Sequence, residues 1–553
     1  MKPTCTACGQ EFIISEREKA FCQEHKICLP TRCPLDRMRQ SSAFLSSHYL
    51  YESSCDYSHK QLLTFVPPDT GYKVYDIDIW MSDLWDPLAY GQTYDSSRSF
   101  FDQFVELQRK VPLPSLECIR STMENSDYTN GCGYVKNCYL LFGAYEVEDC
   151  YFSSFIVSSR DIVDCIYATK CELCYGCSYI TNCYNCRFVE NSHNCSDSTF
   201  LFNCRGLKNC YGCTNLNHKE YYFYNQPLSK QEYQKKVAAI DLGSFEVLEQ
   251  EKAMFARAKQ EAPLSSVQGG SNESSTGNYI NNTKNCINCF FSTDIEAVEW
   301  GIGLINKATD CYMNNSFGNN ASQIYYSAGC GENAFNIKFS LNCFSNVRDL
   351  EYCMFTGYGS ENCFGCTGLR KKQYCILNKQ YTREAYFGLV EKIKDKMLRD
   401  GEYGQFFPQQ MSHLYYNHSW AQDLFPRTKT EAQKHGYTWH EETKDTFAHH
   451  CVIPDHINNI EDTILDVSLY CGVSNKKFRI LKQELAIYRK LHLPLPRKAP
   501  IQRIHEMSKL FTIEASHQIQ CSNCTQTIDS VYTPTNTQKV LCEACYQQFV
   551  SNL

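Results

Sequence analysis

The sequence predicts a mainly β protein. It reads as a parallel β-helix-like solenoid of about 21 residues per coil, in two segments with helical caps, flanked by duplicated zinc-ribbon modules. Three observations carry this expectation. The first is a column pattern in residues 141–216, where every twenty-first residue is small or apolar. The columns run Leu141, Ile162, Cys183, Cys204; Ala144, Cys165, Cys186, Leu207; Val147, Ala168, Val189, Cys210; Cys150, Cys171, Ser192, Cys213; and Ser153, Cys174, Cys195, Leu216. Asn, Asp, Ser, Lys, Arg and Tyr fill the positions between, and a fixed period near 20 residues is what stacked coils require, because each buries its inner row only against its neighbours.

The second observation is a duplication of the chain ends. Adding 466 to each number in 5–79 leads without a gap into 471–545: Phe12 meets Phe478, Ile14 Ile480, Glu18 Glu484, Pro34 Pro500, Arg37 Arg503, Cys55 Cys521, Pro68 Pro534 and Lys73-Val74 Lys539-Val540. The third is a repeat at an offset of 153, where Cys210-Tyr211-Gly212-Cys213-Thr214 returns as Cys363-Phe364-Gly365-Cys366-Thr367 and Tyr233 as Tyr386. Together they divide the chain into an N-terminal zinc-ribbon module (1–80), an aromatic junction (81–123), a first β-solenoid segment (124–228), a helical cap (229–264), a linker (265–277), a second solenoid segment (278–381), a second cap (382–400), a connector (401–470) and a C-terminal zinc-ribbon module (471–553).

The 466 offset selects candidate metal ligands. Each module offers two four-ligand positions. In one, the N-terminal copy has Cys5, Cys8, Cys33 and Asp36, where the other copy has Cys471, Ser474, Ala499 and Gln502. In the other, the C-terminal copy has Cys521, Cys524, Cys542 and Cys545, against Cys55, Ser58, Asp76 and Ile79. Paired Cys-x2-Cys turns aim thiolates at one tetrahedral ion, so each module is expected to keep one structural Zn²⁺, and a different one. Cys22, Cys28 and His25 are alternatives to Asp36. However, Cys22 aligns with Tyr488 and Cys28 with Pro494, which reads as packing. Phe478, Leu485, Ile487 and Tyr488 are expected to pack in place of metal in the C-terminal copy.

Between the modules the order of elements follows local signals. Trp80, Trp85, Asp86-Pro87, Phe100-Phe101 and Phe104 form a packed aromatic junction, with a short helix from Ser99 to Lys110 ended by a Pro-rich segment. In the first solenoid segment, Asn or Asp precedes Cys at Asn137, Asp149, Asp164, Asn182, Asn194, Asn203 and Asn209, residues that tolerate left-handed backbone at corners. The Cys-x2-Cys runs here, such as Cys171/Cys174/Cys177, Cys183/Cys186 and Cys210/Cys213, share columns with Ala, Val, Leu and Ile, so they read as packed thiols. Ser229–Glu232 is a capping box, Thr382 can cap a helix carrying Leu389, Ile393 and Met397, and Thr428–Glu431 caps a third ending at Gly436. The Ser- and Gly-rich run 265–277 reads as a flexible linker, and irregular coils are expected between 286 and 353. His440, His449, His450, Cys451 and His456 lack a carboxylate at defined spacing and read as ordinary polar residues.

Composition bounds the rest. With 54 Lys+Arg against 61 Asp+Glu over 553 residues, the formal charge is −7, and no global nucleic-acid signature exists. The start, MKPTCTACGQEF, has no apolar segment, and no run of 18 apolar residues occurs, so neither export nor a membrane span is expected. The 35 cysteines are then reduced thiols in a cytoplasmic protein.

In its order of motifs the chain resembles, over nearly its full length, a family of uncharacterised Cys-rich zinc-ribbon proteins of candidate-phyla bacteria, some labelled CaiB/BaiF, meaning family III CoA-transferase. The matching motifs are Trp85-Asp86-Pro87, Glu124-Asn125-Ser126, Asn137-Cys138-Tyr139, Asn209-Cys210-Tyr211-Gly212-Cys213 and Leu493-Pro494-Leu495-Pro496-Arg497-Lys498. The family has cysteine where this chain has Asp36, Ser474, Ala499 and Gln502. The resemblance implies zinc and a solenoid but brings no activity, and the chain has neither a Gly-rich nucleotide loop nor an Asp singled out as a nucleophile. The expected function is a non-catalytic zinc-binding scaffold with a protein or other macromolecular partner. The alternatives are a nucleic-acid or ribosome-associated role through the ribbons and the basic runs 369–372 and 489–498, and a transferase or carbohydrate-active enzyme on the solenoid wall.

Overall fold

The computed structural model describes residues 2–305, 308–309, 313, 315–317, 328–330, 341–343, 347–443, 452–511, 513–533 and 537–553. In chain order, a Cys5 turn leads to α1 (Glu16–Glu24), α2 (Pro34–Ser42) and a hairpin of Tyr51–Ser54 with Gln61–Thr64. Then come α3 (Ile77–Met81) and α4 (Phe100–Lys110), whose first turn is capped by the Ser99 hydroxyl accepting from the Asp102 N–H. A first parallel ladder runs from Met123–Glu124 to Tyr222–Phe223, followed by α5 (Lys230–Ala238) and α6 (Phe245–Glu261). Parallel pairing resumes from Gly269–Gly270 to Gln373–Ile376, before α7 (Arg383–Arg399), α8 (Trp420–Leu424) and α9 (Lys429–Lys434). The C-terminal module repeats the first: α10 (Lys482–Leu491), α11 (Pro500–Ser508), a hairpin of His517–Gln520 with Thr527–Ser530, and α12 (Glu543–Ser551). The capping boxes at Ser229 and Thr428 form, and Thr382 caps α7. The chain is mixed rather than mainly β, with 30% strand and 28% helix, because the junction, caps, connector and modules all add helices to the ladders.

The ladder does not advance by 21 residues. Ile166 pairs with Ser154 and Ser178, Glu172 with Tyr184, and Thr199 with Tyr211, always twelve residues apart. Five of its strands, Tyr151–Val163, Ile166–Thr169, Ser178–Thr181, Tyr184–His193 and Glu172–Tyr175, close on one another in a parallel ring. The underlying unit is a triplet. Every third residue from Cys132 to Leu216 is buried, and the residue before each has positive φ, from Gly131 through Asn137, Asp164 and Asn203 to Asn215. Twelve and 21 are both multiples of three, so a 21-residue column stays on the inner face without marking a turn. The Asn/Asp-Cys dipeptides sit at these left-handed positions as expected, but so do Phe152, Phe155 and Tyr167. Bulky residues adopt this backbone only where surrounding bonds over-determine it. Here the left-handed N–H donates thirteen residues back, as Asn137 does to Glu124 and Lys170 to Val157.

The same geometry explains the cysteines. The inner residue's N–H points into the core, where it needs an acceptor. Its partner is the side chain one register step below: Cys165 N–H donates to Ser153 Oγ at 3.0 Å, Cys177 to Cys165 Sγ at 3.3 Å, Cys204 to Ser192 Oγ at 3.0 Å and Cys210 to Ser198 Oγ at 3.1 Å. The thiols in turn donate to the carbonyl two residues earlier, Cys171 to Thr169 and Cys204 to Phe202 among them. Cys and Ser therefore fill the core and satisfy it.

In the second ladder the pairing begins at eleven (Gly269 with Ile280), passes to twelve (Gly277 with Cys289), becomes thirteen (Ile302 with Asn315, Ala328 with Leu341, Arg348 with Glu361), and returns to twelve (Glu361 with Gln373). The register step here is thus irregular, where the first ladder keeps twelve throughout. Residues 265–277 are not a flexible linker. Leu264–Ser265 and Gly269–Gly270 are strands, and Ser265, Ser266 and Gln268 are buried. The glycines serve close approach: at Gly269 and Gly277, both with positive φ, a Cβ would lie 1.8 Å from the Ile280 or Cys289 carbonyl oxygen.

Modules and ladders interlock crosswise. Val74–Tyr75 of the first module pairs with Leu113–Pro114, just after α4, and Val540–Leu541 of the second pairs with Leu264–Ser265, just after α6. Yet Phe100 of α4 packs on Phe364 and Tyr352 of the second ladder, while Phe255 of α6 packs on Phe200 of the first. Trp80 and Trp85 lie against Gly368, and Tyr546, the counterpart of Trp80, donates to Asn215, the counterpart of Gly368. The ladder ends match as well. Thr214 N–H donates to Asn225 Oδ1, as Thr367 N–H does to Asn378 Oδ1, both at 2.9 Å.

Candidate metal centres

Each module opens one of its hairpin-like turns with a cysteine, and the turn repeats four times. Cys5, Cys55, Cys471 and Cys521 each accept, at their carbonyl, the N–H of a residue four further on, namely Gly9, His59, Asn475 and Thr525, all with positive φ. The sequence-selected ligands converge in two of these turns. Ligand atoms of Cys5, Cys8, Cys33 and Asp36 lie within 4.8 Å of one another, as do those of Cys521, Cys524, Cys542 and Cys545. Both groups can hold a metal ion.

In the first, Cys5 Sγ is 3.2 Å from Asp36 Oδ2 and accepts the Cys33 N–H at 3.2 Å, while Cys8 and Cys33 Sγ are 3.9 Å apart. Asp36 turns Oδ2 to the thiols and Oδ1 to Arg39 and to Arg427, the latter at 3.5 Å. Burial pushes its carboxyl up, but the Arg39 guanidinium and the three thiols outweigh it and hold the group below its ordinary value. It is Asp36 that completes this group, not Cys22 or Cys28; Cys22 lies in the hydrophobic core. In the second, Cys524 and Cys542 Sγ are 3.7 Å apart, and Cys521 Sγ accepts the Cys542 N–H at 3.2 Å. Burial raises the Cys521 thiol, but backbone N–H groups of Cys524, Cys542 and Asn523 bring it down to about 6, ready as a thiolate.

The two degenerate positions keep their turns without ligands. Cys55 Sγ accepts N–H groups of Ser58 and Asp76, and Cys471 Sγ that of Ser474. Phe478, Leu485 and Tyr488 are buried in one hydrophobic cluster, with Ile487 packed against it. Both copies share a buried ion pair, Glu18 with Arg37 and Glu484 with Arg503, and Tyr488 OH joins the second by donating to Glu484 Oε1 at 2.8 Å.

Among the described residues no three ladder thiols come within 4.8 Å of one another, so the Cys-x2-Cys runs 171–177, 183–186 and 210–213 bring no metal group together. The connector histidines part company. His440 stands with His418 and Glu442, His456 with Asp241 and His492, and His449, His450 and Cys451 lie outside the described residues. A further group, His48, Asp423 and His505, joins three distant segments. Sequence reasoning missed these groups because, His440 and Glu442 apart, their members come from distant segments with no short spacing between them. Comparison with family models, curated proteins and solved structures finds no match for this chain. No described helix is long and apolar enough to cross a membrane.

Proposed function

We propose that the protein is a non-catalytic scaffold, a four-sided solenoid of twelve-residue coils clasped between zinc-ribbon modules, which presents its outer faces to a macromolecular partner in the cytoplasm. The observation that carries this reading is that the ladder thiols are spent internally, donating to backbone carbonyls and accepting inner N–H groups, so among the described residues the wall offers no array of free nucleophiles. Zn²⁺ suits both cysteine groups. Tetrahedral bonds of about 2.3 Å to sulfur place neighbouring sulfurs about 3.8 Å apart, against the 3.7 and 3.9 Å seen here. Four protein ligands leave no open position, which fits structural ions. The outer wall carries exposed aromatics, Tyr134 against Tyr145 with ring centroids 5.1 Å apart and Tyr184 further along, and surface tyrosine is a usual contact residue.

The arginines of the basic runs that motivate a nucleic-acid role, and Lys498, are engaged within the chain. Arg370 donates to the Ser82 carbonyl, Arg489 pairs with Asp462, and Lys498 with Glu506. The test is cobalt reconstitution followed by cross-linked capture from the native host. Thiolate-to-cobalt charge-transfer bands from two ions, and a partner set lost on Tyr134→Ala/Tyr145→Ala/Tyr184→Ala, support the scaffold. Absent thiolate bands or an unchanged partner set count against it.

A further inference from the structure

Three groups outside the cysteine turns unite two histidines with a carboxylate, and hydrogen bonding separates them. At Asp241, both imidazoles are already spent. His456 Nδ1 accepts the Asn458 N–H at 3.1 Å, so Nε2 carries the proton and donates it to Asp241 at 3.0 Å, while His492 Nε2 bonds the other oxygen at 2.9 Å. Gly243 closes the space, since a Cβ there would stand 2.6 Å from His492 Nε2 and 2.8 Å from His456 Nε2. That group is a hydrogen-bonded clasp. At Glu442, His418 has both ring nitrogens engaged, one by Tyr51 OH and the other by Glu442 at 2.9 Å.

The group His48, Asp423 and His505 differs. His48 follows α2 and is 2% exposed; Asp423 lies in α8, its side chain 11% exposed; His505 lies in α11. Asp423 accepts the Ser47 hydroxyl, and its only ion-pair neighbour among the described residues is His48 Nδ1, at 3.6 Å, longer than a hydrogen bond. No Lys or Arg among the described residues pairs with it. His505 has no hydrogen-bond partner among the described residues, and its ring lies 5.7 Å from that of His48. Burial pushes the Asp423 carboxyl up to about 7, and with no Lys or Arg paired to it among the described residues the ligand atoms converge where a bound cation would favour the carboxylate.

We propose that His48, Asp423 and His505 bind a divalent transition-metal ion. Two histidines and one carboxylate leave positions open to water or a small ligand, the arrangement suited to Fe²⁺, Co²⁺ or Zn²⁺ in exchangeable sites. The Ser47 hydroxyl donates to Asp423 and so accepts from His48 Nδ1–H, at 2.9 Å, which orients both residues and leaves Nε2 as the His48 nitrogen with a lone pair, while Phe142 packs edge-on against the His48 ring. The ion would join the first module, the connector and the second module at one point. His505 stands where the first copy has Arg39, so the position that neutralises Asp36 in one copy supplies a ligand in the other.

Metal-stripped full-length protein titrated with Co²⁺ tests this. The expected result is a further equivalent beyond the thiolate-bound ions, with weak nitrogen/oxygen-type visible bands and no sulfur charge transfer. His505→Ala removes that equivalent and its bands while the thiolate bands persist, which also reports an intact fold; Asp423→Asn is the second variant. His440→Ala leaves it in place. The proposal is overturned if the extra equivalent is absent, if it survives both variants, or if it is lost in His440→Ala instead. Failure of the thiolate assignment is read separately, from the charge-transfer bands.

Discussion

The N- and C-terminal modules have one backbone and two chemistries. The α-helices α1, α2 and α3 and the hairpin of the first have counterparts 466 residues on, down to the Glu18–Arg37 and Glu484–Arg503 pairs. Yet the first kept its ligands at the turn before α1, and the second at the turn before residue 527. Where ligands are gone, the lone cysteine still accepts backbone N–H groups and holds the turn. Packing has taken over from the ion: Tyr488, at the position of Cys22, fills the C-terminal core and extends its ion pair, and Arg503 also reaches Asp164 of the first ladder at 2.5 Å. A duplicated fold needs only one anchor per copy, provided that the other turn is tied to a neighbour.

That comparison can be broken most directly at the metal. Cys542→Ala should remove the C-terminal ion and unfold residues 517–553, since structural zinc carries folding free energy on the order of 10 kcal/mol. Metal analysis and limited proteolysis would register this, with the N-terminal ion retained. Cys471→Ala, in the degenerate turn, should leave metal content unchanged. Next in size are the buried arginines. Arg503→Met strands two carboxylates and should cost about 3–5 kcal/mol in urea unfolding. Arg37→Met, which removes the counterpart pair with Glu18, should destabilise the first module in the same assay.

Within the ladder, Ser192→Ala deprives the Cys204 N–H of its acceptor and should cost about 1–3 kcal/mol, whereas Ser192→Cys should be close to neutral. A neutral alanine would refute the acceptor role. The remaining effect is a pH dependence. Glu117 follows the strand Leu113–Pro114 as Gln268 follows Leu264–Ser265, so the two copies differ here by one ionisable group. Burial pushes the Glu117 carboxyl up to about 7 against the opposing Ser46 hydroxyl. An acid raised on folding binds its proton in the folded chain after the unfolded chain has lost it, so stability falls as pH rises from about 4.5 to about 7. Glu117→Gln, which installs the other copy's residue, should lessen that fall in thermal melts, the other raised carboxyls such as Asp423 supplying the rest, and change nothing below it.

Much of the ladder was legible because its code is local. Each Asn/Asp-Cys pair states a left-handed residue followed by an inner one, and the repeat at 153 predicted matching ends that the Asn225 and Asn378 bonds bear out. The period was misread because columns of inner residues recur at any multiple of three, and only pairing singles out twelve. The run 265–277 was misread for a related reason: Gly and Ser describe flexibility in isolation, but Gly269 and Gly277 are there because two backbones approach too closely for a Cβ.

By itself the sequence determined what repeats and what is short-ranged: the module duplication, the cysteine groups at two-residue spacing, the capping boxes and the inner row. Local spacing decides these, since a turn or a cap involves neighbours along the chain. Tertiary structure alone decided the twelve-residue register, the crossing of each module onto the other ladder's end, and the meeting of His48, Asp423 and His505. Those depend on which distant surfaces bury each other, and contacts across hundreds of residues leave no spacing to read.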